Sequence, residues 1–375
     1  MPNDHRPHCV ILTTAHPALD RRVFHKEAVS LAGAGYRVTL IARHGGNEQL
    51  KGVNVIALPT WRSRAFRMLL LPGIAVCKAL RTNADVYHLH DPELLMIGLL
   101  LRFAGRRVVF DMHEDVPIQI LSKHWIPHPL RKCVSIAYRR FERFALRRFD
   151  GVIAATDDIA RKLADARPVI VRNYPDLTQF TPRRPVEPPS SDIPTAVYVG
   201  GITKLRGAVE MIRAIEHVST SRTVRLLLIG KPEPPAVLDA LRALPGFAHV
   251  EYRGWQPPES IPEWLEQANI GLLCLLPDPR YQTSLPVKLF EYMAMGIPVV
   301  ASNFDTWREI IESPANGILV DPENPVEIAS AINYLLENPE IAEEMGQVGR
   351  LKVLDRYNWD QERPKLLRLY EDVLA

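Results

Sequence analysis

Short apolar segments alternate with helical patterns along the first half of the chain. Residues 22–34 illustrate the helical pattern, because Phe24, Ala28 and Leu31 fall on one face of a helix. Apolar strands separated by helices are typical of a parallel sheet that is buried on both faces. The predicted strands of this half are residues 10–12, 38–42, 53–58, 86–89, 107–110, 152–155 and 169–171.

A proline-rich segment, residues 176–194, separates this half from a second half with the same alternation. Its proline density excludes a helix and indicates a semi-rigid connector. The strands predicted beyond it are residues 196–199, 224–229, 250–252, 270–275, 298–301 and 318–320, and the chain is helical after residue 321. We therefore predict an α/β protein with two Rossmann-like, doubly wound parallel-sheet domains, residues 1–175 and 195–358, that face each other across a cleft. Residues 359–375 form a final helix, and its return to the first domain is an open alternative.

Composition restricts the class of protein only in broad terms. A chain of 375 residues exceeds the roughly 250–300 residues at which single cores stop growing. The formal net charge of +3 is too small to indicate a nucleic-acid partner, so we expect none. The N-terminus lacks the apolar core of a secretory signal, and no apolar segment is long enough to span a bilayer. We expect a cytoplasmic protein.

Glycines and a basic residue follow the first strand of the second half. Gly200 and Gly201 end that strand, and Arg206 precedes Gly207 at the start of the next helix. Glycine allows the backbone to approach an anion closely, and both helix N-termini and arginine bind phosphate. A phosphate site and an ordinary glycine turn beside a solvated arginine explain the pattern equally well.

A second motif lies at residues 283–301, where a loop opens a helix. We expect the loop N–H groups and Lys288 to bind a diphosphate, and Glu291, one turn further, to accept hydrogen bonds from a ribose. The alternative is an ordinary helix on which Lys288 and Glu291 are exposed. The residues assigned to donor and nucleotide binding are Gly200, Gly201, Arg206, Thr283, Ser284, Leu285, Pro286, Lys288 and Glu291.

The second motif resembles the signature of the retaining glycosyltransferases of family four, which have the GT-B fold. Glu291 matches the second of two family glutamates, whereas the first position falls on Thr283, eight residues earlier. The family's first acidic residue contacts the donor sugar, and we expect the N–H groups of Ser284 and Leu285 to take over part of that contact. The glycine loop with Arg206 matches as well. The resemblance implies a UDP- or GDP-linked sugar donor and transfer with retention of the anomeric configuration.

The first half offers acceptor or cleft candidates at predicted strand ends. His16 and Arg22 follow the first strand, and Asp20 between them is a predicted N-cap. This stretch is similar to the H-P-x-x-D-x-R-V-F-x-K-E opening of bacterial family members. His90 and Asp91 end a later strand, and a helix N-cap is an equally open role for Asp91.

His113 follows the central strand of this half, within the sequence D-M-H-E-D. It resembles the cleft histidine of the family, which hydrogen-bonds the donor sugar, and we assign it the catalytic role. Glu114 is a further acceptor or cleft candidate. Glu114 and Asp115 are adjacent, so they cannot flank a glycosidic bond as a hydrolase pair does.

A metal-binding D-x-D motif is absent from the sequence. We therefore expect no metal and no other cofactor. Arg206, Lys288 and helix N-termini are expected to stabilise the leaving diphosphate instead.

Residues 129–148 have the pattern of a basic amphipathic helix, with an apolar side opposite Lys132, Arg139, Arg140, Arg143 and Arg147. Two interpretations are open. Either the apolar side packs on the sheet beneath a solvated basic face, or the helix binds anionic lipid, where each basic residue contributes about 1 kcal/mol. Residues 61–81 add further basic and apolar residues.

Taken with the resemblance, these features predict a hexosyltransferase that extends a glycan or lipid-linked acceptor in surface or exopolysaccharide biosynthesis. The protein is either cytoplasmic throughout or peripheral on the inner face of the cytoplasmic membrane. Two other functions stay open: a non-catalytic sugar-nucleotide or glycan-binding module, and a nucleotide-sugar epimerase of the same fold. Thr283 is the residue that most favours the binding module.

Overall fold

The computed structural model describes residues 6–60, 64–123, 126–180, 193–219, 222–313 and 315–375, without the side chains of residues 64–67. The chain forms two compact units, one of Met1–Asn173 with Trp359–Ala375 and one of Tyr174–Asn358. The boundary precedes Tyr174 because its ring packs in the second unit, with centroids 4.7 Å from Phe290 and 5.4 Å from Tyr357. The predicted boundary at residue 175 is therefore slightly late. Residues 181–192 of the predicted connector lie outside the described residues.

Eight strands form the sheet of the first unit: β1 (His8–Pro17), β2 (Arg37–Arg43), β3 (Glu48–Leu50), β4 (Val53–Leu58), β5 (Val86–Leu89), β6 (Arg107–Met112), β7 (Gly151–Ala154) and β8 (Val169–Ile170). Their order in the sheet is β3-β4-β2-β1-β5-β6-β7-β8, and only the pair of β3 and β4 is antiparallel. The apolar pattern correctly predicts seven of these strands. It does not predict β3, because that short strand carries the polar residues Glu48 and Gln49 at the sheet edge.

Helical segments connect these strands on both sides of the sheet. They are a π-helix (Val23–Ala28), α1 (Val29–Gly33), α2 (Arg64–Leu80), a 3-10 turn (Pro92–Leu94), α3 (Leu95–Phe103), α4 (Val116–Leu121), α5 (His128–Leu146), α6 (Asp157–Lys162) and a second 3-10 turn (Ala164–Ala166).

The sheet of the second unit has six strands: β9 (Thr195–Val199), β10 (Arg225–Ile229), β11 (Val250–Gly254), β12 (Ile270–Leu273), β13 (Val299–Ser302) and β14 (Gly317–Val320). All six are predicted from the sequence. They lie in the order β11-β10-β9-β12-β13-β14, and every neighbouring pair is parallel.

The α-helices of this unit are α7 (Ala208–Ser219), α8 (Val237–Arg242), α9 (Ile261–Leu265), α10 (Pro279–Gln282), α11 (Val287–Ala294), α12 (Asp305–Arg308), α13 (Pro325–Glu337) and α14 (Pro339–Asp355). Short 3-10 turns span Lys204–Arg206, Pro245–His249 and Pro258–Ser260.

Alternate residues of the buried strands face opposite layers of helices, as a doubly wound sheet requires. In β1, Val10 and Leu12 lie in one hydrophobic core, and Cys9 and Ile11 lie in another. The last helix of the chain, α15 (Trp359–Leu374), contributes Tyr370 to the second of these cores. The C-terminal segment therefore completes the first unit.

Each sheet changes the direction of its strand order beside its first strand, between β1 and β5 and between β9 and β12. Ligands of doubly wound sheets bind beyond the carboxyl ends of strands at such points. The predicted site residues lie at or after the ends of β1, β5 and β6 in the first unit and of β9 and β12 in the second, so the topology places them at those ends.

Candidate functional site

Two basic side chains from separate motifs meet at the end of β9. A Cβ atom built on Gly200 would lie 3.2 Å from Cε of Lys288 and 3.3 Å from Nη1 of Arg206. Both side chains are half-buried, so they are held beside the backbone instead of extending into solvent. The glycine loop and the second motif thus form one cationic site.

The turn that carries Arg206 is fixed on both sides. The hydroxyl of Thr203 accepts a hydrogen bond from the N–H of Arg206 at 3.2 Å and caps the 3-10 turn. Gly207 has φ +70°, and a Cβ there would lie 1.8 Å from the carbonyl oxygen of Cys274. A side chain at this position would clash with the backbone at Cys274, so the position after Arg206 requires glycine.

The loop before α11 differs in one respect from the prediction. The N–H of Ser284 donates to the carbonyl of Tyr281 at 3.1 Å, so it does not point to a ligand. The expected contact of Ser284 N–H with a donor is therefore wrong. Leu285 N–H makes no hydrogen bond within the described part of the chain, and it keeps the role expected of it. Trp307 anchors the loop by donating from Nε1 to the carbonyl of Ser284 at 2.8 Å.

Thr283 and Glu291 lie in contrasting surroundings. Thr283 is exposed, and its hydroxyl donates weakly to the carbonyl of Pro279 at 3.4 Å. Glu291 is only 1% exposed. The alternative of a helix with an exposed Glu291 is therefore wrong. Burying a carboxylate costs free energy unless it accepts hydrogen bonds, so the side chain of Glu291 requires polar groups around it.

An ion network fills the strand ends of the first unit. Arg22 donates from Nε and Nη2 to the two carboxylate oxygens of Asp111 at 2.6 and 2.9 Å. It also lies 3.0 Å from Glu27, and Nη2 donates to the carbonyl of Val171 at 3.0 Å. All three charged side chains are buried. Arg22 is therefore a structural cation, and the acceptor contact predicted for it is not available.

The π-helix explains why these charges meet. The N–H of Glu27 donates to the carbonyl of Arg22 at 3.0 Å, five residues earlier, so both side chains return to the same side. The predicted cap is confirmed, since Asp20 accepts from the N–H groups of Arg22 and Val23 at 2.8 and 3.0 Å. An α-helical pattern does not reveal the wider turn.

Burial and charge set the protonation of this network. Burial, together with the charge of Asp111, raises the pKa of Glu27 well above its usual range. Although burial alone would raise it, Arg22 and His90 hold the pKa of Asp111 well below its usual range. The shift favours the protonated form of Glu27, whereas Asp111 stays ionised beside Arg22.

His113 lies beside this pair and touches His16. The Nε2 atoms of the two histidines are 3.2 Å apart, and Nδ1 of His113 lies 4.0 Å from Asp111. Burial lowers the pKa of His113. Burial acts to lower the pKa of His16 too, but Asp20, Asp91 and Glu114 raise it overall. A neutral His113 with its proton on Nδ1, toward Asp111, leaves Nε2 as an acceptor.

The two candidates after β5 are buried and structural. Asp91 accepts hydrogen bonds from the hydroxyl of Thr13 at 2.9 Å and from the N–H groups of Thr14 and Ala15 at 2.5 and 3.1 Å. Its side chain makes no helix-cap hydrogen bond. Asp91 therefore clamps the end of β1, so neither the cleft role nor the N-cap role is correct. His90 is 1% exposed and lies 3.3 Å from Glu27, inside the ion network.

In the described residues, one group of side chains has the ligand types and spacing for a metal ion, with ligand atoms within 4.8 Å of one another: Glu27, His88, His90 and Asp111. Arg22 already lies between the two carboxylates of this group, 3.0 and 2.6 Å away. His88 is bound through Nδ1 to the hydroxyl of Tyr370 at 2.8 Å. A metal ion would have to displace a buried guanidinium, so we interpret this group as part of the ion network.

Helix α5 does not separate basic and apolar residues as predicted. Leu130, Val134 and Phe144 are 53%, 40% and 46% exposed, and Arg140 and Arg147 are exposed as well. The buried positions of the helix are Ser135, Glu142, Ala145 and Leu146. The interpretation in which the apolar side packs on the sheet is therefore wrong for these three residues.

The neighbouring helix α3 also carries exposed apolar residues, namely Met96, Leu100 and Phe103. None of the helices in the described part of the chain is long and apolar enough to cross a membrane. Of the second basic stretch, residues 61–63 lie outside the described residues.

Two family models match the chain, one in each unit. The model described as "Glycosyl transferase 4-like domain" matches residues 21–173, and the model described as "Glycosyl transferases group 1" matches residues 193–338. The chain belongs to the family-four-like glycosyltransferases of group 1. This glycosyltransferase thus carries a family match over both of its units.

Individual relatives agree with this assignment. The D-inositol 3-phosphate glycosyltransferase of Acidothermus cellulolyticus is 26% identical over 319 residues, which cover 78% of this chain and 68% of the relative. Three further curated relatives are matched over less than two thirds of their own length, namely over 66%, 44% and 48%.

Solved structures show the fold. The sucrose-phosphate synthase of Thermosynechococcus elongatus superposes with a TM-score of 0.78 at 20% identity and covers 99% of both chains. HepE of Anabaena in complex with UDP-glucose gives a TM-score of 0.74 at 15% identity and covers 98% of this chain and 100% of HepE. The glycosyltransferase therefore has the GT-B fold.

The structure brings together part of the predicted site. Gly200, Arg206 and Lys288 converge in the second unit, and His16 and His113 touch in the first. Sequence reasoning missed Glu27, whose position in the H-K-E stretch beside Arg22 is the only signal of its role. Glu114 is exposed and accepts from Nε2 of Gln119 at 2.7 Å.

Proposed function

We propose that this glycosyltransferase moves a hexose from a UDP- or GDP-linked donor to a glycan or lipid-linked acceptor, with retention of the anomeric configuration. The observation that carries the proposal is the approach of Arg206 and Lys288 to Gly200 at the end of β9. Two cations beside the half-buried glycine backbone suit a diphosphate, since guanidinium and ammonium both form charge-assisted hydrogen bonds with it. The UDP-glucose in the HepE structure, a protein of the same fold, supports a nucleotide-sugar donor.

The donor site requires no metal ion in this account. Arg206 and Lys288 supply positive charge where negative charge develops on the leaving diphosphate, which is the role of a metal in other transferases. The N–H groups of Gly201 and Leu285 add dipoles without bulk. Glu291, one turn beyond Lys288 on α11, accepts hydrogen bonds from the ribose hydroxyls.

His113 carries the catalytic role in the first unit. Its pKa is lowered by burial, so the ring is neutral and Nε2 accepts a hydrogen bond, now from the direction of His16. A substrate hydroxyl that replaces His16 would be held and polarised at this atom. The buried pair of Arg22 and Asp111 fixes the ring's surroundings without taking part in the transfer.

Release of nucleotide from candidate donors tests the proposal. We expect UDP or GDP to be released in the presence of EDTA, and only when an acceptor is present. Full dependence on magnesium or manganese would contradict the proposal. Donor conversion without an acceptor would identify an epimerase or hydrolase, and donor binding without any conversion would identify a binding module.

The surface of α5 supports a peripheral position on the inner face of the cytoplasmic membrane, where lipid-linked acceptors of surface polysaccharide synthesis lie. Exposed Leu130, Val134 and Phe144 accompany exposed Arg140 and Arg147. Apolar side chains that enter a headgroup layer and arginines that pair with anionic lipids together give reversible binding.

Cosedimentation with vesicles tests this position. We expect binding to vesicles with anionic lipid at low salt, and release as salt rises, because surface charge is screened. Changing Lys132, Arg140 and Arg147 to glutamine should abolish binding and leave nucleotide release intact. Equal partitioning of the variant and the wild type would show that the basic face is ordinary solvated surface.

A further inference from the structure

A recess opens in the first unit next to the strand end that carries His113. It has an empty volume of about 480 Å³ and begins at Met112, the last residue of β6, and Glu114. Its walls come from α4, α5 and α6.

The α5 wall of the recess is positively charged. Arg139 and Arg143 line it one helical turn apart, and neither forms an ion pair with any described residue. Arg143 donates from Nη2 to the carbonyl of Lys162 at 3.0 Å, which orients its guanidinium. Lys162 itself is paired with Asp115, 2.8 Å away, and the remaining basic side chains of the lining are these two arginines.

Glu142 lies between these arginines and is only 3% exposed. Its Oε1 atom is buried and has no hydrogen-bond partner among the described residues. Burial, reinforced by Asp115, raises the pKa of Glu142 to about 8. A neutral carboxyl in the wall both donates and accepts hydrogen bonds, as a sugar hydroxyl requires.

We propose that this recess binds the acceptor, and that the acceptor carries an anionic group next to its sugar hydroxyls. The phosphate or carboxylate pairs with Arg139 and Arg143, and a hydroxyl meets Glu142. Planar guanidinium groups bind both kinds of anion through paired hydrogen bonds. The assignment to the acceptor rests on the proposed function, in which Arg206 and Lys288 of the second unit hold the nucleotide.

Binding of small probes to the full chain tests the proposal. Glucose 6-phosphate and glucuronic acid represent the two sources of negative charge, and glucose and inorganic phosphate separate the two halves of the ligand. We expect at least one anionic sugar to bind about ten-fold or more tightly than glucose or phosphate, because only it engages both groups. Binding of glucose as tight as that of both anionic sugars would overturn the proposal.

Two double variants of α5 test whether the anionic sugar binds in the recess. Changing Arg139 and Arg143 to glutamine should weaken binding of the anionic sugar about ten- to hundred-fold, since two charge-assisted contacts are lost. Changing Arg140 and Arg147, which lie on the same helix but do not line the recess, should leave it unchanged. Equal loss in both pairs would overturn the assignment to the recess.

Glu142→Gln gives an independent test, because glutamine keeps one donor and one acceptor. Binding of the anionic sugar should persist in Glu142→Gln and fall about ten-fold in Glu142→Leu, and equal affinities of these two variants would contradict the role of Glu142. UDP binding separates the outcomes. If UDP binds and the anionic sugars do not, the recess assignment fails; if the sugars bind and UDP does not, the proposed function fails.

Discussion

The strand ends of the two units use arginine in opposite ways. In the second unit, Arg206 is half-buried and lies together with Lys288 beside Gly200. In the first unit, Arg22 is buried and its charge is neutralised by Asp111 through two hydrogen bonds. A basic side chain at a strand end is therefore not necessarily a ligand contact. Arg22 has its counter-ion inside the fold and stabilises the structure, whereas Arg206 and Lys288 approach the glycine backbone at which a phosphate is proposed to bind.

Removal of the buried cation should give the largest effect. Arg22→Leu leaves the charge of Asp111 buried without its partner, and loss of one member of a buried pair costs about 3–5 kcal/mol. We expect the free energy of unfolding of the first unit to fall by that amount in urea titrations. Arg102→Leu is the matched control, because its pair with Asp150 is partly exposed and contributes below about 1 kcal/mol. Similar losses in both variants would remove the distinction between the two kinds of arginine.

Most of the fold can be predicted from the sequence because buried strands appear in it as short apolar segments. Thirteen of the fourteen strands follow from the pattern, and only β3, polar and at the sheet edge, escapes it. The converging pair of Arg206 and Lys288 is also predictable, since helix starts after parallel strands of one sheet lie at the same edge.

Other parts of the site depend on tertiary geometry that a pattern does not carry. Glu27 meets Arg22 only through a π turn, and Asp91 faces the end of β1 and not the helix that follows it. The N–H of Ser284 already donates a hydrogen bond to the carbonyl of Tyr281 within a turn. On α5 the apolar residues Leu130 and Phe144 face outward, because Glu142 and Ala145 occupy the inner side.

A variant in the first unit should mainly lower turnover, and a variant in the second unit should mainly weaken nucleotide binding. His113→Ala should lower kcat about 100-fold and leave the Kd of UDP unchanged, because a positioned group of this kind contributes about 10²–10⁴ to rate. Glu291→Gln should weaken UDP about ten-fold through its ribose contacts, and Glu309→Gln, exposed on the same unit, should have no effect. Weaker UDP binding in His113→Ala, with kcat intact, would show that the division is wrong.

A further effect concerns Glu142 and pH. Its pKa is raised to about 8 in the folded chain from an ordinary value of 4.5, so the folded state holds a proton that the unfolded state releases. Stability from this group is complete below pH 4.5 and is lost as pH rises through 8, by at most about 1.4 kcal/mol per pH unit. Glu142→Gln should remove this slope from the free energy of unfolding between these limits. Parallel curves for the variant and the wild type would contradict the assignment.

The central claim is that Arg206 and Lys288 bind a nucleotide diphosphate without a metal ion. Calorimetric titration of UDP and GDP in the presence of EDTA tests it most directly, with the wild type compared with the Arg206→Ala/Lys288→Ala variant. Two charge-assisted contacts of about 1.5–3 kcal/mol each are lost in the variant, so we predict that affinity falls at least about 100-fold. Binding that is absent in EDTA and restored by magnesium, or equal affinity in the variant and the wild type, would contradict the account.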